Sequence, residues 1–315
     1  MSFRAEDVPS LTGKTVVVTG ANSGIGFEAA RVLAARGADL ILACRSSERG
    51  QGAAARIRST SPHARLEVRP LDLANLAAVR EFARWLNDAR PALHLLINNA
   101  GLMAIPRQTT VEGFEMQLGV NHLAHFALTG LLLPKLLATP DARVVNLSSQ
   151  AHLIGRMRWD DLDGERSYHK WTAYGQSKLA NLLFTFELAR RLHARNATQR
   201  ALACHPGYAD TNLQHVGPSM EGSRLNQWMM KIGNRLMAQS AADGALPTLY
   251  AATAPAAQSG EYYGPSGLFG RAGPPAPLRA MAAAYDPASM QRLWQVSIER
   301  TGVGFEQLAL IGTPG

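Results

Sequence analysis

The chain has 315 residues, 46% hydrophobic and 18% charged, an ordinary composition for a globular enzyme and far from that of a disordered or fibrous protein. Its formal net charge is +8, yet the basic residues (Arg31, Arg45, Arg58, Arg190, Arg195) are scattered and form no stripe for nucleic acid. No apolar run reaches the roughly 18 residues of a membrane span, the start lacks a signal-peptide pattern, and the two cysteines, Cys44 and Cys204, sit in strand-like runs, so the simplest reading is a cytosolic protein with reduced thiols.

From Thr15 onward, short β-branched runs alternate with helical patterns. Strands are predicted at Thr15–Thr19, Asp39–Ala43, Leu66–Val68, Leu93–Ile97, Arg143–Leu147 and Arg200–Cys204, with one more near Gly260–Tyr263. The early runs are almost continuously apolar, as expected of parallel strands covered on both faces. Helical patterns fall at Glu28–Arg36, Leu76–Ala89, Phe114–Leu137 and Ser177–Arg195. Such alternation predicts right-handed crossovers and a Rossmann-type, doubly wound, mainly parallel sheet of about seven strands. One α/β domain spans the chain, and Gly264–Pro277 reads as an ordered surface loop.

The first strand runs into Gly20-Ala21-Asn22-Ser23-Gly24-Ile25-Gly26 and then a helix. A glycine-rich triplet is informative here because it opens a strand–turn–helix unit. Gly20 permits the turn, Gly24 lets backbone approach a pyrophosphate, Gly26 lets the helix pack closely, and the helix start offers N–H groups to phosphate. After the second strand stand Arg45 and Ser46, with no acid to hold a ribose 2′-hydroxyl. A guanidinium suits a 2′-phosphate, so NADP(H) is expected, with NAD(H) as the alternative. Asp72 and Leu73 would flank the adenine, and Asn99, Ala100 and Gly101 would pack against the ribose. Residues 10–150 thus form mainly the cofactor half and 151–315 the catalytic half.

Carbonyl reduction requires a hydride to carbon and a proton to oxygen. Tyr174 is a candidate acid–base, and Lys178, one helical turn on, could lower its pKa and hold a ribose. Ser149, ending the fifth strand, would hydrogen-bond the substrate oxygen. The adjacent Ser148 must face the other way, and is the alternative.

Thr19–Gly26, Asn98–Gly101, Asn121, Ser149, Tyr174-Gly175-Gln176-Ser177-Lys178 and Pro206-Gly207 with Thr211 together resemble the short-chain dehydrogenase/reductase family over nearly the whole chain. The resemblance selects Ser149 over Ser148 and implies that Asn121 anchors a proton-relay water through its helix backbone. It also implies that Pro206, Gly207 and Thr211 lie beside the nicotinamide carboxamide, and that helices flanking the site can build a homodimer or homotetramer. His205 reads as a buried, hydrogen-bonded histidine. Ser149 and Tyr174 stand twenty-five positions apart, an insert holding Trp159, Asp160, Asp161, Tyr168 and Trp171. With Tyr262-Tyr263-Gly264-Pro265, this is similar to the branch of retinol dehydrogenases, WW-domain oxidoreductase and protochlorophyllide reductase, although Ala180 replaces the cysteine typical of the last. Arg224–Met237, rich in methionine, would form a lid suited to an apolar carbonyl or alcohol. No metal-ligand spacing is present. The alternatives are a C=C reductase of the same fold and a regulatory protein that binds NADP(H) without turnover.

Overall fold

The computed structural model describes residues 3–207, 240–267, 270 and 272–309. Strands β1 (Thr15–Thr19), β2 (Asp39–Cys44) and β3 (Arg65–Pro70) alternate with helices α1 (Gly24–Ala35), α2 (Ser47–Thr60) and α3 (Leu76–Ala89). Then come β4 (Leu95–Asn98), α4 (Ala124–Ala138), β5 (Arg143–Leu147), α5 (Lys170–Ala194) and β6 (Arg200–Cys204). Helix α6 (Ala241–Thr253), strands β7 (Tyr262–Pro265) and β8 (Pro275–Leu278), and helix α7 (Pro287–Thr301) follow. The eight strands lie in the order β3-β2-β1-β4-β5-β6-β7-β8, all parallel except β8 against β7. Winding therefore reverses between β1 and β4, and the crevice at their carboxyl ends is where ligands bind in such sheets.

The strand residues explain the two-sided sheet. Along β1, Val16 and Val18 enter the core shared with α1 and α6, while Val17 enters the core shared with α3, α4, α5 and α7. Each buried valine contributes on the order of 2 kcal/mol of transfer free energy. On the outer side, α7 lays Trp294 against Phe126 of α4 and Phe184 of α5, with Phe305 completing the aromatic cluster. Arg191 of α5 stacks over Trp294 and pairs with the fully buried Glu187 at 2.7 Å.

Several predicted boundaries shift for physical reasons. Strand β3 is longer than Leu66–Val68 and only half-buried, because it forms the sheet edge, where Glu67 pairs with Arg69 and Arg90. Helix α2 has no strong apolar stripe: it packs Gly50, Ala53, Ala54 and Ile57 inward, and a Cβ on Gly50 would meet Val68 at 2.5 Å. The expected loop after Gly264 instead contains β8, whose prolines are tolerated at the end of a sheet. The region Phe114–Leu137 is a short helix (Met116–Leu118), a π turn (Gly119–Leu123) and then α4, whereas α5 begins at Lys170, a full seven residues before Ser177. Among the described residues no helix is long and apolar enough to cross a membrane, and no group of His, Cys, Asp and Glu is placed to hold a metal.

Candidate active site

At the end of β1, Gly20 adopts φ +68°, a conformation that glycine reaches without strain. Its turn lets Asn99 and Ala100, just beyond β4, donate their N–H groups to Thr19 Oγ1 at 2.9 Å each. Ser23 precedes α1 but its side chain caps no amide, which leaves the helix start for another acceptor. A Cβ on Gly26 would lie 2.3 Å from Asn99 Nδ2 and 2.6 Å from Gly20 O, so only glycine fits where helix, turn and β4 meet. The fit of these residues to a nucleotide diphosphate is therefore good.

These groups line one end of a cleft of about 710 Å³, together with Asn22, Gly24, Ile25, Arg45, Asp72, Leu73 and Gly101. Asp72 also accepts the Ala74 N–H at 3.0 Å, shaping its own turn. Ser46 does not line the cleft: its hydroxyl accepts the Arg49 N–H at 3.2 Å and caps α2. An N-cap serine gains more from that amide than from reaching past the helix start.

The same cleft is lined farther along by Ser149, Tyr174, Lys178, Pro206 and Gly207. Tyr174 and Lys178 lie one turn apart near the start of α5 and are only 5% and 4% exposed. Ser149 caps the 3-10 turn Gln150–Ile154 and its hydroxyl hydrogen-bonds the Tyr174 hydroxyl. The neighbouring Ser148 points the other way and donates to Lys178 O at 2.9 Å. Lys178 Nζ donates to Leu147 O at 3.1 Å and stands 5.6 Å from the Tyr174 ring centre. Burial pushes the Tyr174 hydroxyl up to about 12, opposed by the Ser149 hydrogen bond, and pulls the Lys178 ammonium down to about 8. The lowering of the tyrosine expected from the lysine does not appear: burial sets the hydroxyl, and Ser149 is what opposes it.

Two glycines bring the serine turn to the tyrosine helix. A Cβ on Gly155 would meet Gly175 O at 2.3 Å, and one on Gly175 would meet Ala151 O at 2.7 Å. Gly155→Ala should force these backbones apart and move Ser149 from Tyr174, lowering kcat by roughly tenfold to a hundredfold. Nucleotide affinity should stay near that of the parent, and a titration beside the rate measurement separates the two effects.

A family model for short chain dehydrogenase matches residues 14–221. Retinol dehydrogenase 12 of Mus musculus is 41% identical over 301 residues, covering 94% of this chain and 89% of the relative. Retinol dehydrogenase 13 of Homo sapiens is 44% identical over 298 residues, covering 93% and 86%. A crystal structure of an uncharacterized protein from Mycobacterium paratuberculosis superposes with TM-score 0.80 at 43% identity, covering 97% of this chain and 99% of that one. The chain belongs to the short chain dehydrogenase family. Within that family it is an oxidoreductase of the retinol dehydrogenase-like branch.

In this dehydrogenase Asn121 does not reach the cleft. It is fully buried behind Leu102, accepting the Leu102 N–H at 2.7 Å and donating to Leu102 O at 2.9 Å and Ser177 Oγ at 2.9 Å. His205 takes the Gly207 N–H on Nδ1 at 3.1 Å, and burial brings its pKa down to about 4, so it is a neutral structural acceptor. Thr211 and the lid segment Arg224–Met237 lie outside the described residues.

Sequence reasoning missed the mainly apolar part of the cleft wall, formed by Met103, Ile105, Gln108, Met116, Val120 and Trp171. Trp171 meets Tyr174 edge-on at 6.4 Å and is 40% exposed. The insert holds this wall: Tyr168 donates to Ile105 O at 2.9 Å, and Gln117 Nε2 donates to Tyr168 Oη and Lys170 O. Asp163 takes the Glu115 N–H at 2.8 Å and pairs with Arg300 of α7. The available signal was the clustering of aromatic and acidic residues in the insert, which marks a segment that folds onto its own chain.

Proposed function

We propose that this short chain dehydrogenase interconverts an apolar ketone or aldehyde with its alcohol, using NADP(H). The carrying observation is that Ser149, Tyr174 and Lys178 share one cleft with the glycine turn and the uncapped start of α1. NADP(H) supplies or accepts the hydride when bound. Tyr174 gives its hydroxyl proton to the substrate oxygen, or takes it in the reverse direction, and Ser149 donates a hydrogen bond to the same oxygen. Lys178, a buried cation beside the tyrosine, stabilises the tyrosinate that results. Asn121 holds Leu102, and so the turn that carries Gly101, against this wall. Pro206, Gly207 and Thr211 would position the nicotinamide.

Met103, Ile105, Met116, Val120 and Trp171 support the apolar substrate, since a hydrophobic wall with few polar groups favours ligands of the same character. Arg45 supports NADP(H): it lines the cleft at the end of β2, is exposed, and makes no bond to any described residue. A cytosolic location belongs to the same reading, in keeping with two buried, unpaired cysteines.

Fluorescence titration of NADPH against NADH, on the parent and on Arg45→Ala, tests the proposal. NADPH should bind more tightly, and the variant should lose about tenfold to a hundredfold of that affinity while NADH is unaffected. Equal binding of both nucleotides, indifferent to Arg45, overturns the cofactor assignment. Failure of both to bind overturns the enzymatic reading.

A further inference from the structure

We propose that His125 is a positioning residue, a neutral imidazole with its proton on Nδ1 that ties the Thr19 end of the nucleotide turn to Asn121. This rests on the reading of residues 99–102 as the wall against which the nucleotide binds. His125 lies in the first turn of α4, is buried, and does not line the cleft.

Its ring bridges two elements distant in sequence. Nδ1 stands 3.1 Å from the Asn121 carbonyl oxygen, which can only accept, so Nδ1 must carry the hydrogen. Nε2 stands 3.0 Å from Thr19 Oγ1. Burial keeps the ring neutral near physiological pH, its pKa brought down to about 4, with the Lys178 charge acting in the same sense and the Asn121 contact opposing. Nε2 is then an acceptor, and the Thr19 hydroxyl donates to it in preference to Ile97 O at 3.4 Å.

The same hydroxyl oxygen accepts the N–H groups of Asn99 and Ala100, which completes its hydrogen-bonding capacity. At the other end, the Asn121 amide grips Leu102 through both its N–H and its C=O. Residues 99–102 are thus held by Thr19 on one side and Asn121 on the other, and His125 joins the two holders into a closed ring. Gly101 lies within that turn, and a Cβ there would stand 3.0 Å from Asn121 Oδ1 and 3.5 Å from Lys178 Nζ. A displacement of Asn121 would therefore be felt at the lysine as well as at the turn.

Two substitutions divide the ring's two bonds. In His125→Asn the side-chain amide can replace the Nδ1 donor to Asn121 but nothing replaces Nε2. In His125→Gln the longer amide can reach Thr19 while the Nδ1 donor is lost. The first should weaken NADPH binding about tenfold with kcat at saturation near that of the parent, and the second should lower kcat about tenfold with NADPH affinity little changed. Loss of the same quantity in both variants, or a fall in Tm alone, overturns the proposal. Nitrogen-15 NMR of the imidazole in the parent protein, without nucleotide or substrate, decides the case even where a variant does not fold. A protonated Nδ1 and an unprotonated Nε2 are expected, and the reverse tautomer or a charged ring near neutral pH refutes the arrangement. Since that spectrum needs no turnover, a wrong assignment of the reaction leaves it unchanged.

Discussion

Tyr174→Phe should lower kcat by about a thousandfold, a loss of roughly 4 kcal/mol of transition-state stabilisation, while NADPH binds as before. The expectation follows from how little the substitution disturbs. Tyr174 is buried in the first half of α5, its ring meeting Trp171 edge-on, and phenylalanine keeps that volume and contact. Lost are the hydroxyl with its exchangeable proton and the hydrogen bond to Ser149. Because burial sets the hydroxyl at about 12, its proton is held firmly at neutral pH, and the Ser149 hydrogen bond is what eases its release. Steady-state rates with NADPH and an apolar aldehyde, beside a nucleotide titration, check both halves. Turnover within about tenfold of the parent would reassign the proton to another group.

Acidification from pH 7 to about 5 should remove on the order of 6 kcal/mol of stability, comparable with the whole folding free energy of many domains. His122, His125 and His205 are buried with pKa values brought down to about 3, 4 and 4, mainly by desolvation. Unfolded, each returns to about 6.5, the ordinary value of a solvated imidazole. Between those values the unfolded chain binds protons that the native protein refuses, so stability falls as pH drops below about 6.5, by roughly 2 kcal/mol per histidine at pH 5. His94 and His152, also lowered, act in the same direction, and the raised carboxyl of Glu115 acts against them. Thermal unfolding followed across this range should show a steep fall in Tm. In His122→Phe, which keeps an aromatic ring beside Phe126 and Phe184 but gives up the Ser297 hydrogen bond, the slope should lose about one proton. A flat Tm profile between these pH values would show that the histidines are hydrated in the native state.

Much of the fold and cleft was legible where a feature is local. The apolar runs of β1, β2, β5 and β6 read directly as two-sided parallel strands, and the glycine turn could be placed because a strand end, a tight turn and a helix start are neighbours in the chain. Tyr174 and Lys178 could be paired because four residues make one helical turn. Weaker patterns failed for equally local reasons: α2 buries alanines and a glycine in place of leucines, and β8 is rich in proline.

By itself, then, the sequence determined the alternating α/β order, the glycine turn and the tyrosine–lysine pair, since these depend on backbone sterics and on periods of two and 3.6 residues. Only the tertiary structure decided that Ser149 turns toward Tyr174 while Ser148 turns toward the Lys178 carbonyl. It alone set Gly155 on Gly175, Asn121 behind Leu102, and His125 against a threonine 106 positions away. The reason is that such contacts are selected by close packing of elements distant in the chain, where a single methyl group or one hydrogen-bond direction decides what fits, and no short-range pattern encodes that choice.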